Sequence, residues 1–163
     1  MADEGLMTTY DWVRRTRQTL LHHLSSLPGE AYLAPRPELD GQSVRDRHMH
    51  IAACYIGWTG RRALLEEGLA LPDAAGWPDA ERAWSWFEAV DFMVARLFET
   101  YGDRLDEPLE RAFRDKPVRI TARWALTHPM THEFHHKGQI VVASRLLGYP
   151  APDTDMVLPF AEA

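Results

Sequence analysis

Apolar residues recur at helical spacing in four long stretches of this chain, and proline or glycine stands at the end of each. The first stretch runs from about Thr8 to Leu27, with Tyr10, Val13, Leu20, Leu21 and Leu24 on its stripe and Pro28-Gly29 closing it. The second begins at Ser43, a residue type that caps helices, with the acidic Asp46 three positions on. It continues to about Glu67, where Gly68 suits a helix end. The third spans about Asp79 to Tyr101, carries Ala83, Phe87, Val90, Val94 and Leu97, and closes at Gly102. The last reaches Leu147 from either Thr121 or Pro129, because proline fits the first turn of a helix better than its interior. A start or a kink is therefore predicted at Pro129.

Between the third and last stretches, Pro108 to Phe113 predicts a short helix and Pro117 to Ile120 an extended segment. The tail from Ala151 onward reads as irregular. No alternation of apolar and polar residues is strong enough to predict a sheet. The expected fold is all-α: one domain over residues 1–163, a four-helix bundle with a short extra helix and long connections.

Net charge decides the class of partner. At −6, with basic residues scattered, the chain lacks the clustered Lys and Arg that phosphate backbones require, so nucleic acid is not an expected partner. No apolar run approaches the roughly 20 residues needed to span a bilayer. The acidic Asp3 and Glu4 are followed by no apolar leader segment, so no signal peptide is expected. A single cysteine, Cys54, allows no intrachain disulfide and fits a reducing compartment. The expectation is a cytoplasmic protein that makes no membrane contact. Trp58, Trp84, Trp86 and Trp124 fall within or beside helical stretches, where packing in a core or a dimer interface is their expected role.

The histidines carry the chemistry. His132 and His136 are four apart, which on a helix puts both imidazoles on one face. Two such rings can share a divalent metal if a third ligand arrives from elsewhere. His128 continues the same spacing, but a residue before proline avoids helical angles, which places His128 outside the regular helix. His135 faces about 100° away from His136, and the neighbours His22 and His23 diverge equally. His48 and His50 diverge by about 160°, so at most one of them joins a metal. Val44, Ile51, Tyr55 and Trp58 lie on the His48 side; Cys54, Gly57 and Arg61 lie on the His50 side. Periodicity slightly favours His48 as the inward residue.

The stretch His132-Glu133-Phe134-His135-His136-Lys137-Gly138-Gln139-Ile140, followed by Arg145-Leu146-Leu147-Gly148, resembles the H-x-x-H-H-[RK]-G-Q-[ILM] and R-x-x-G pattern of the DinB/YfiT-like superfamily. Ser43-Val44-Arg45-Asp46, leading to His50-Ile51-Ala52, is similar to the pattern of that family's second helix. Tyr10 to Leu27, followed by Pro28, is similar to its opening helix. Arg47 and His48 depart from it, standing where the family has apolar residues. The resemblance implies a four-helix bundle with a divalent metal near one end of its core. It also implies three histidine ligands, which carry over to His50, His132 and His136.

The same resemblance implies a small-molecule substrate, a homodimer, and transferase chemistry that uses a low-molecular-weight thiol. Imidazole ligands suit zinc and nickel, among others, so they do not select the metal. Glu133 and Asp46 are candidates to orient the ligands, and Glu133 is also the only carboxylate within the motif for a general base. Arg145 is a candidate contact for an acidic substrate group. Two alternatives stand beside the transferase: metal-assisted hydrolysis, and a non-catalytic bundle stabilised by its metal in stress response or assembly.

Overall fold

The computed structural model describes residues 3–156. Helix α1 spans Glu4–Ser25, and Asp3 caps it by accepting a hydrogen bond from the Leu6 amide at 2.9 Å. A short helix α2, Gly29–Leu33, and a single 3-10 turn, Pro37–Leu39, fill the connection that follows. Helix α3 covers Val44–Tyr55 and opens on a reciprocal capping box: the Ser43 hydroxyl accepts from the Asp46 amide, and the Asp46 carboxylate accepts from the Ser43 amide. The chain then continues into a π-helical segment, Ile56–Ala63. Helix α4, Arg82–Tyr101, ends at Gly102, whose φ of 54° is left-handed. Helix α5, Ala122–Leu146, is the longest of the described helices and starts at Thr121, which caps the Trp124 amide.

Helix α5 is the centre of the arrangement. It packs against α1, α3, α4 and the π-helical segment. Val13, Leu20 and Leu24 of α1, Ile51 and Tyr55 of α3, Val90 and Leu97 of α4 and Leu126 and Ile140 of α5 are buried in one cluster. One glycine stands at a close approach. A Cβ on Gly60 would meet the side-chain ends of Leu69 and Met93, which would have to shift to admit it.

Three sequence expectations change. The segment predicted as a short helix, Pro108 to Phe113, is instead mostly strand: β1, Leu109–Phe113, pairs antiparallel with β2, Lys116–Ile120, from Leu109 opposite Ile120 to Phe113 opposite Lys116. The fold is therefore mostly helical with a two-stranded hairpin, and the extended reading of Pro117 to Ile120 agrees with β2. Secondly, of the two predicted starts for the last helix the structure has the earlier, at the Thr121 cap, and α5 runs from Ala122 through Pro129. His128 is consequently helical, against the expectation from its place before proline. Thirdly, the second helix loses regular α geometry at Ile56, well before Glu67. Residues 151–156 are irregular, as expected of the tail, and the rest of that tail lies outside the described residues. Among the described residues, no helix is long and apolar enough to cross a membrane.

Candidate metal centre

His132 and His136 project from one face of α5 toward His50 on α3. The ring centroids of His132 and His136 are 4.4 Å apart, and His50 lies 4.9 Å from each. One potential ligand atom from each of the three falls within 4.8 Å of the other two. The two Nε2 atoms on α5 are 3.1 Å apart. A tetrahedral zinc holding nitrogens at about 2.1 Å separates them by roughly 3.4 Å, so small ring rotations bring the set to bonding distance.

The local hydrogen bonding fits a cation. Gln139 Oε1 lies 2.7 Å from His136 Nδ1. An amide oxygen only accepts, so Nδ1 carries the proton and Nε2 presents its lone pair toward His132. Two facing lone pairs repel unless a proton or a cation sits between them. All three imidazoles titrate below the ordinary histidine value. Burial lowers His132 to about 4, with the neighbouring His136, His50 and His128 adding to it. Burial is also the main cause for His50, with Arg47 contributing, and for His136, where the Gln139 contact partly opposes it. Neutral rings at pH 7 are what a metal requires.

His48 does not join this group. It is 1% exposed and packs among Tyr32, Trp77 and Phe87, with its Nδ1 3.2 Å from the Tyr32 hydroxyl. Periodicity identified the core-facing residue correctly, but the imidazoles converge off the core, where the more exposed His50 stands. His135 is exposed beside His136. Arg145 is exposed in the last turn of α5 and does not line the cavity beside the histidines.

Glu133 requires correction as a base or an orienting partner. It is fully buried, and its oxygens are occupied. Arg17 donates to both, Nε to Oε1 at 3.1 Å and Nη2 to Oε2 at 2.9 Å. The Tyr55 hydroxyl donates to Oε2 at 2.7 Å, and Lys137 Nζ is 3.0 Å from Oε1. Burial alone would raise its pKa; Arg17 and Lys137 outweigh that and hold it at about 2. Asp46 is likewise spent on its helix cap and contacts no ring of the triad. The partner for the ligand shell is Gln139, a residue within the motif to which sequence reasoning gave no role.

An open cavity of about 740 Å³ lies beside the imidazoles. His50, Cys54, Trp58, His128 and His132 form part of its wall, and Arg61, Arg62 and Arg111 contribute cationic rim. These guanidiniums are fixed in place. Arg61 donates to the Leu69 carbonyl, Arg62 to those of Gly57 and Ala112, and Arg111 to those of Arg62 and Ala63. Arg62 and Arg111 thereby tie the π-helical segment to the hairpin. Cys54 is only partly buried and lines the cavity; desolvation raises its thiol to about 12.

A mostly helical fold that gathers three neutral imidazoles from two helices beside a cavity defines a class of histidine-rich helical proteins suited to divalent metals. The chain belongs to the DinB family, whose family model matches residues 1–162. No curated protein matches it closely enough to compare.

Proposed function

We propose that His50, His132 and His136 together hold one divalent cation, zinc or nickel, at the edge of a four-helix bundle formed by α1, α3, α4 and α5. On this reading the protein is a metal-dependent transferase that uses a low-molecular-weight thiol. The convergence of the three rings beside an open cavity carries the proposal. Three protein ligands leave a tetrahedral metal one open position. A cation bound there supplies Lewis acidity that favours the ionised form of a thiol or water.

The residues of the chain divide the remaining work. Gln139 fixes the His136 tautomer. Trp58 and Phe113 give the cavity aromatic surface, and its lining sets three guanidiniums, Arg61, Arg62 and Arg111, against two carboxylates, Glu67 and Glu110, a balance that favours a small molecule carrying negative charge. The cavity supports catalysis over a purely structural metal. Hydrolysis is the weaker alternative, because Glu133, its candidate base, is sealed in an ion cluster. A homodimer is part of this reading.

Metal analysis of the purified protein beside single His50→Ala, His132→Ala, His136→Ala and His48→Ala variants tests the ligand set. The expected result is near-stoichiometric, tightly held metal in wild type and His48→Ala, and markedly weaker binding by competition with a chelator in the other three. Wild-type affinity in both His50→Ala and His136→Ala would remove the proposed ligands. The transferase is tested by thiol consumption with an electrophile such as a chlorinated aromatic. No turnover above the metal-free control, across several thiols and metals, would reject it.

A further inference from the structure

We propose that Cys54, His128 and His132 form a second, sulfur-containing seat for a soft or borderline divalent cation, one helical turn along the cavity wall from the three-histidine seat. One potential ligand atom from each of the three lies within 4.8 Å of the others. All three residues line the cavity, and all three are only partly buried. The arrangement follows from helix geometry. Cys54 is four residues after His50 on α3, and His128 is four residues before His132 on α5. The two helices meet in opposite directions, so one turn forward on α3 faces one turn back on α5. The result is a ladder with two rungs of potential ligands that share His132.

His128 holds its place by ring contacts. It stacks on Trp124 at 5.0 Å with an interplanar angle of 2° and meets the Trp58 ring edge-on at 5.6 Å. A thiolate beside two imidazoles suits zinc, cadmium and cobalt, and disfavours magnesium or calcium. Cation binding at this seat releases the Cys54 thiol proton to solvent as the sulfur–metal bond forms. A neutral imidazole has one lone pair, so His132 serves one cation at a time. The two seats are therefore alternatives for a single ion. This inference overlaps the proposed function at His132, and the variants below separate the two.

Cobalt(II) is the probe, because sulfur ligation produces a thiolate-to-metal charge-transfer band in the near ultraviolet that nitrogen ligation lacks. His50 is exposed, so His50→Ala removes the three-histidine seat without touching the core. The expected result is a sulfur band in His50→Ala stronger than in wild type, and its loss on adding Cys54→Ser or His128→Ala. Cys54→Ser alone retains a nitrogen-only cobalt spectrum. Absence of the sulfur band from His50→Ala at saturating cobalt would overturn the second seat, whether or not cobalt binds elsewhere. If Cys54→Ser fails to bind cobalt while His50→Ala shows the band, the three-histidine seat fails and the second stands.

Discussion

The Thr59 hydroxyl donates a hydrogen bond of 2.9 Å to the Ala125 carbonyl, the helical acceptor that Pro129 cannot serve. Proline has no N–H and so leaves the carbonyl four residues earlier without its helical donor. Thr59 is fully buried in the π-helical segment and supplies the replacement. An unsatisfied buried carbonyl costs about 1–3 kcal/mol. Thr59→Val is expected to lose about that much stability in denaturant unfolding. In a Pro129→Ala background, where residue 129 regains its N–H, the same substitution is expected to cost less. Equal costs in the two backgrounds would show that the hydroxyl does not replace the missing amide.

Glu133 illustrates how a motif carboxylate can be structural. Removing its charge leaves Lys137, 1% exposed, without a counter-charge, and leaves the equally buried Arg17 with Asp91 alone. Breaking a buried ion pair from one side costs about 3–5 kcal/mol. Glu133→Gln is therefore expected to lower the thermal midpoint markedly, while the fraction that stays folded binds metal as wild type does. An unchanged midpoint together with abolished turnover would restore Glu133 as the base.

Helix existence was legible in this sequence because long apolar stripes and caps such as Ser43 and Asp46 agree with each other. The hairpin was not. Its turn places Arg114 and Asp115 at φ values of 51° and 60°, without the Asn-Gly pair that marks such turns. Its half-buried positions in β1 include Arg111, which breaks the apolar alternation. The π-helical segment, which packs around Gly60 and is tied to the hairpin through Arg62 and Arg111, carries no spacing or breaker that the sequence rules read. At the site, the i,i+4 pair on α5 was readable from spacing alone. The choice of His50 came from family resemblance, since periodicity finds the face toward the core and the site lies off it. His128 was discounted by the rule for residues before proline; the unbroken spacing of His128, His132 and His136 was the signal that placed it correctly.

His48 gives the fold an acid-sensitive point. Burial lowers its pKa to about 3 from an ordinary value of 6.5. In the unfolded chain it regains the ordinary value. Between those values the unfolded state binds the proton and the folded state does not, so this contribution to stability is complete above about pH 6.5 and falls as pH drops toward 3. The slope from one such group is at most about 1.4 kcal/mol per pH unit. His48→Phe keeps a ring among Tyr32, Trp77 and Phe87, and Trp77 Nε1 still donates to the Tyr32 hydroxyl at 2.9 Å. The variant is expected to lose stability less steeply than wild type from pH 6.5 downward. Parallel acid limbs for the two proteins would exclude His48 as a source of the slope.

Gln139 separates orientation of a ligand from ligation itself. Its amide oxygen is 2.7 Å from His136 Nδ1 and is the only contact from outside the histidine cluster that fixes the tautomer of that ring among the described hydrogen bonds. Without an acceptor there, His136 can place its proton on Nε2, which then cannot bind a cation. Loss of such an outer partner weakens metal affinity by roughly 10–100-fold. Gln139→Leu is expected to fall in that range by competition with a chelator, with the unfolding midpoint of metal-free protein little changed because residue 139 is only half-buried. Gln139→Glu keeps an acceptor at the same reach and is expected to recover most of the affinity. Wild-type affinity in Gln139→Leu would mean that His136 is held in its productive tautomer by something other than this amide.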